Sequence, residues 1–208
     1  MPQFIYIMDP MCSWCWAFAN IVDALKKQYP DYQWEYVMGG LAPDSELPMP
    51  ETMRLKIQSI WKEIEKNTGT RFNHNFWVAN TPKRSTYPAC RAVICAEYIN
   101  SGSGEKMILA IQNAYYLKAR NPSDQNVLLS LAETLNLDSD HFSSLLNSPE
   151  IHTLLDEQIN KGRQLGAQGF PTLLFRQNNK IYPLAYGFTQ TGEIIERIDK
   201  VLITEKSG

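Results

Sequence analysis

The chain has little cysteine, almost no net charge and no long apolar run. A net charge of -2 over 208 residues, without a Lys/Arg block, supplies no basic field to gather nucleic acid or an anionic bilayer, so neither is expected as a partner. No window approaches the roughly eighteen continuous apolar residues that cross a membrane. The opening MPQFIYIMDP has neither a charged leader nor an apolar segment ending in small residues, and a cytoplasmic address is the expectation. In that compartment structural thiols stay reduced, so four cysteines are not a disulfide framework; a close pair among them reads as redox-active or metal-binding. Internal repeats and low-complexity tracts are also missing. With 44% hydrophobic residues, the chain can bury a real core as one large domain or a domain carrying an insertion.

The spacing of apolar residues predicts strand–helix–strand in the first forty positions. Gln3 to Met8 is a short run rich in Ile, Phe and Tyr that fits a strand buried on both faces. A helical pattern follows from about Ser13 to Tyr29, stopped by Pro30, and a second strand from Gln33 to Met38, closed by Gly39-Gly40. Such a βαβ unit places its strands parallel. From about Pro48 to Gly166 the periodicity is helical, with segments ending at Gly69, spanning Tyr87 to Ile99, and near Glu105 to Lys118, Gln125 to Leu135 and Pro149 to Leu165. Ser148 reads as the cap of the last of these, with Pro149 at its first position. Strand signals resume at Thr172 to Phe175 and Ile181 to Ala185, a hairpin, before a helix from about Gly192 to Leu202 and a loose tail of about four residues.

Within DPMCSWCWAF, Cys12 falls where a buried strand gives way to the first turn of a helix, the end with unpaired N–H groups and the positive pole of the dipole. A thiolate is stabilised there. Cys15 lies one turn further along, near enough for its sulfur to bond that of Cys12. Cys12, exposed with a lowered pKa, is the expected nucleophile toward a substrate disulfide; Cys15, more buried, attacks the mixed disulfide and releases product. A zinc site would need two further ligands. Cys90 and Cys95, five apart on a predicted helix, point in different directions and read as core cysteines; His74, His141 and His152 show no ligand spacing. No metal is expected.

A second signal is Gly169-Phe170-Pro171-Thr172, heading a strand, the place in a sheet where proline is tolerated. With DPMCSWCWAF near the start, LGAQGFPTLLF near the end and a helical insert between them, the chain resembles the thioredoxin-like superfamily over essentially its whole length. Within it, the resemblance is to the DsbA-like thiol:disulfide oxidoreductases of the FrnE-like branch. STYPACRAV (Ser85 to Val93) and the LAETLNLD run ending at Asp138 are similar to that branch as well. The resemblance implies an α/β thioredoxin-like fold, a central mixed sheet flanked by helices. Residues 1–45 and 165–208 would form a discontinuous thioredoxin-like domain and 46–164 an all-helical insertion domain. It also implies that the Phe170–Pro171 peptide is cis and sits against the cysteine pair. Pro171 then blocks metal capture, and the backbone of Phe170 is free to pair with an extended substrate. Asp9 matches the family's acidic position three residues before the first cysteine. There it shuttles or tunes a proton for Cys15; the alternative is that it ends the strand and caps the turn. Ser13-Trp14 between the cysteines lacks the histidine of the strong periplasmic oxidant, so the pair is expected as a dithiol in the cell.

Ser13, Trp14, Phe170 and Thr172 flank the thiols and are the candidate substrate contacts, with Trp61, Phe76 and Trp77 as further candidates to line an apolar groove. Trp16 reads as core. Arg91 would either hold an anionic substrate group or pair on a helix edge. The function expected is dithiol exchange with protein or small-molecule disulfides, needing no bound cofactor, with glutathione as a candidate co-substrate and an unidentified thiol or other electron donor. Two other readings compete. One is a glutathione-dependent isomerase or transferase of the kappa-class and hydroxychromene-carboxylate isomerase type, whose members carry serine where Cys12 stands; the other is a non-catalytic binding module.

Overall fold

In the computed structural model, which describes residues 1–206, the first apolar run forms strand β1 (Gln3–Met8), buried in all but its first residue. Burial on both faces is what removes the polar alternation from its sequence. Helix α1 (Ser13–Gln28) follows, and β2 (Gln33–Met38) returns parallel to β1 with Gln3 opposite Gln33. On the other side of β1 lies β3 (Thr172–Gln177), antiparallel to it and hairpinned to β4 (Lys180–Tyr186), giving the order β2-β1-β3-β4. Pro183 sits within β4, an edge strand whose outer side needs no donor. This mixed sheet flanked by helices is the α/β architecture expected from the sequence.

Between β2 and β3 the chain is helical: α2 (Glu51–Thr68), α3 (Phe76–Ala79), α4 (Tyr87–Ile99), α5 (Ser103–Gln112), α6 (Gln125–Thr134), α7 (Ser139–Leu146) and α8 (Pro149–Gln164). The single helix expected over 105–118 instead ends at Gln112 and widens into a π-helical turn, Asn113–Leu117. Widening lets the consecutive Tyr115 and Tyr116 both point inward, where they are buried. Two elements escaped the sequence reading, α3, of only four residues, and α7, whose cap is Asp138 accepting the His141 amide at 2.9 Å. Ser148 caps α8 by accepting the Ile151 amide.

The sheet is covered on both faces. Phe4, Tyr6 and Met8 join Phe18 and Leu25 of α1 and Ile194 and Ile198 of α9 (Thr191–Lys206) in the main core. Ile5, Ile7, Val37 and Leu174 form the second, smaller core on the opposite face. Helix α8 closes that face: a Cβ on Gly162 would stand 3.1 Å from Ile7 Cγ2, and Gln158 Oε1 accepts the Met38 amide at 2.8 Å. The same helix packs on α4, so segment 149–164 touches both the sheet and the helices before it. The closing helix outruns its expected end at Leu202 and reaches Lys206, with Glu205 anchored to β4; of the expected tail, residues 207 and 208 lie outside the described residues.

Trp61, Phe76 and Trp77 do not line a groove. They are buried together with Phe72, Tyr115 and Tyr116, where ring centroids lie 4.9 Å (Trp61–Phe72 and Trp61–Trp77) and 4.7 Å (Phe76–Tyr115) apart. The aromatic side chains of the helical segment build its core. Trp16 is half-buried, stacked on Tyr116 at 5.6 Å with its indole N–H on the Arg71 carbonyl.

Candidate active site

Cys12 is the cap residue of α1, in extended backbone (φ -78°, ψ 119°), and its carbonyl accepts the Trp16 amide at 3.0 Å. Its thiol donates toward the Phe170 carbonyl at 3.7 Å, and the Phe170–Pro171 peptide is cis. The first cysteine motif and the proline motif, 158 positions apart at this contact, thus meet. Cys12 was expected to be exposed; it is only 7% exposed. The helix tip does not stand in open solvent but at the floor of a cleft of about 570 Å³, bordered by the Gly39-Gly40 turn and the 167–170 loop.

Cys15 is fully buried one turn on. Burial pushes its thiol well up, the adjacent Cys12 adds to the rise, and the Asp9 backbone amide and Tyr6 hydroxyl act in the opposite direction. All four cysteines are free. Cys90 and Cys95 are buried on α4, and burial raises both thiols, Cys95 to about 12.

Asp9 is buried completely. Its carboxylate accepts the Met11 amide at 2.8 Å, the Leu41 amide at 2.7 Å and the Thr86 hydroxyl at 2.6 Å, with the Cys90 thiol at 3.5 Å. Burial raises its pKa despite these hydrogen bonds. The carboxylate therefore caps the turn after β1 and ties it to the 41–42 turn and the start of α4. Its hydrogen-bond partners are Met11, Leu41, Thr86 and Cys90.

The flanking residues divide. Trp14 lines the cleft, its ring 5.7 Å from Phe188. Phe170 lines it too, and among the described residues its amide donates no hydrogen bond. Ser13 Oγ accepts the Trp61 indole N–H at 2.9 Å, so a side chain of α2 holds the residue between the cysteines. Thr172 is buried and its hydroxyl donates to the Gly169 carbonyl at 2.8 Å. Arg91, buried, forms a two-pronged pair with Asp44 at 2.8 and 2.9 Å, outside the cleft lining. His74 pairs with Glu65.

Several cleft residues went unrecognised in the sequence. Gly39 makes room for the Phe170 ring, since a Cβ there would fall 2.0 Å from Phe170 Cε1. Thr86, which anchors Asp9, lies inside the STYPACRAV stretch, so a signal existed without a role attached. Lys56, Lys83, Arg84 and Arg163 surround the cleft, and no Asp or Glu does; of these four only Lys83 has a carboxylate partner among the described residues, Glu46 at 2.6 Å. Scattered through 107 positions and three elements, these cations carry no local pattern.

A family model described as "DSBA-like thioredoxin domain" matches residues 5–190, and the chain belongs to that family. Among solved structures, a candidate protein disulfide isomerase from Nitrosomonas europaea superposes with a TM-score of 0.84 at 25% identity, covering 98% of each chain. The cytosolic disulfide reductase DsbM from Pseudomonas aeruginosa shares the fold with a TM-score of 0.79 at 22% identity, covering 97% of this chain and 99% of that one. Among curated sequences, the ClpXP adapter protein SpxH of Bacillus subtilis is 25% identical over 177 residues, 84% of this chain and 58% of the relative. The chain thus spans less than two thirds of the length of the curated relatives it matches. No helix among the described residues is long and apolar enough to cross a membrane.

Proposed function

We propose that the protein is a thiol:disulfide oxidoreductase that works by dithiol exchange at Cys12 and Cys15 in the cytoplasm. The observation that carries this reading is the placement of one sulfur in the lining of a cleft, against the Phe170 carbonyl that precedes the cis proline, with a second, fully buried sulfur one helical turn on. A Cys12 thiolate attacks one sulfur of the substrate disulfide, the other leaves as a thiolate, and a mixed disulfide forms. Cys15 then attacks Cys12, releasing the second substrate thiol and leaving the pair oxidised. An external thiol, with glutathione the leading candidate, returns the pair to the dithiol by the same exchange. The unpaired amide of Phe170 supports strand-like docking of an extended disulfide substrate. Trp14, Ser13 and Phe170 line the cleft around the sulfurs, the cis Phe170–Pro171 peptide and Thr172 hold the 169–172 segment beside it, and Asp9 holds the turn that presents them. Segment 46–164 serves as the wall that closes the cleft, through Met53, Ile57 and Arg84.

The test is disulfide turnover with insulin and with a small chromogenic disulfide. Wild type turns over; Cys12→Ser is inactive; Cys15→Ala stalls as a mixed disulfide detectable by mass. A different outcome has a clear meaning. The SpxH name describes an adapter, and a binding module of that kind would keep its function in Cys12→Ser and show no reversible two-electron transition. Activity seen only with glutathione and an aromatic electrophile would favour the isomerase reading, against which the retained Cys12 stands.

A further inference from the structure

Cys15 borders a second, much smaller cavity that shares no lining residue with the cleft. Its volume is about 20 Å³, room for one water molecule. Two of its lining side chains carry polar atoms without a hydrogen bond of ordinary geometry among the described residues, Gln112 Oε1 and the Tyr6 hydroxyl, whose polar neighbour is the Cys15 thiol. Tyr6 is 3% exposed and Gln112 1%. Buried polar atoms without partners are rare and point to a site that a small polar ligand completes. The remaining wall includes Tyr36, Asp23 and Glu105. Glu105 pairs with Lys26, whose ammonium lies 5.4 Å from the Trp34 and Tyr36 ring centroids, and its side chain is 39% exposed. Polar groups therefore run from a fully buried sulfur to the surface.

We propose that this back cavity is the proton exit of Cys15, with one water held between the Tyr6 hydroxyl and Gln112 and draining toward Glu105. The inference rests on the dithiol reading above and supplies what that reading lacks. For Cys15 to resolve the mixed disulfide its S–H bond must break, and the Asp9 carboxylate is taken up by Met11, Leu41, Thr86 and Cys90. In the step assigned here the proton passes from Cys15 to the water and on to solvent past Glu105. The electron pair left on sulfur forms the Cys12–Cys15 bond, the Cys12–substrate bond breaks, and the substrate sulfur departs as a thiolate. No outside oxidant is needed.

The groups facing Cys15 are Cys12 on its own helix, Tyr6 on β1, the Asp9 amide in the following turn and Tyr116 in the π-helical turn. Across the cavity stand Tyr36 on β2, Glu105 on α5 and Asp23 on α1. Burial raises the Cys15 thiol well above its ordinary value, so proton departure governs the step near neutrality. Burial likewise raises Tyr6, Tyr36 and Tyr116, which keeps their hydroxyl protons in place as donors. Tyr6 and Gln112 are thus positioning residues, acting on Cys15 through the water they hold and through the Tyr6 hydroxyl at the forming thiolate.

Rapid mixing with a chromogenic aromatic disulfide separates the two steps, because the first chromophore released reports attack by Cys12 and the second reports resolution by Cys15. Tyr6→Phe, which keeps the ring packed on Phe18 and Tyr36, Gln112→Leu and the partly exposed Glu105→Gln are compared with wild type. The expected result is a first release within about twofold of wild type and a second slowed about tenfold at neutral pH, its pH profile displaced upward by about one unit. A second release with wild-type rate and profile in all three variants overturns the proton exit and leaves the dithiol reading standing. A wild-type protein that gives a single release overturns the dithiol reading itself.

Discussion

Trp61 illustrates what a single side chain contributes here. It is fully buried, its ring packs on Phe72, Trp77 and Tyr115, and its indole N–H is spent on Ser13. Trp61→Ala should cost about 3–5 kcal/mol through the cavity it leaves. Trp61→Phe keeps most of the packing and loses the hydrogen bond to Ser13, a cost of about 1 kcal/mol. Urea unfolding midpoints at constant m-value check both, and equal losses in the two variants would refute the division. The stripe that holds Trp61 was readable as an amphipathic helix face, yet its role was misplaced. Periodicity tells which face is covered and is silent on whether a substrate or another helix covers it. The same limit applied to Cys12, whose position at a helix start was legible while the cleft that encloses it was not.

Among the elements, the closing helix and the last hairpin form a unit with a pH-dependent clasp. Glu205 accepts hydrogen bonds from Tyr182, Lys180 and Asn178, which lower its pKa to about 2. A carboxylate depressed in the folded state stabilises above its unfolded value, about 4.5, and that contribution is lost as pH falls through the window down to about 2. Acid titration of stability should therefore show a component over this interval that Glu205→Gln abolishes; an unchanged acid profile in the variant would exclude the clasp. Elements with a full period of apolar residues, β1, α1, β2 and α4, were readable to within a residue. Helix α3 was too short to carry a period, and the π-helical turn exists because neighbouring elements draw two successive tyrosines inward, a demand that no local pattern expresses.

At the scale of the molecule, a chain of net charge -2 places four cations and, among the described residues, no Asp or Glu around the cleft that holds Cys12. Such a local field attracts anions in spite of the global sign, and salt screens it over about 8–10 Å at ordinary ionic strength. For a carboxylate-bearing small disulfide, kcat/KM should fall as sodium chloride is raised, whereas a neutral disulfide of similar size should respond weakly. Equal salt responses for the two would show that the cations do not act on substrate.

The amino-acid order alone determined the βαβ start, the helical middle, the final hairpin and the placement of Cys12 and Cys15 one turn apart at the start of α1, because each is written in spacing over a few residues. Only the tertiary structure decided which groups meet across long separations. It brought Phe170 over Cys12, turned Asp9 toward Thr86 and Cys90, gathered the cations of α2, the 83–84 loop and α8 around one opening, and left Tyr6 and Gln112 facing Cys15. Those contacts follow from how layers close on a shared core, a property of the whole packing that no window of sequence contains.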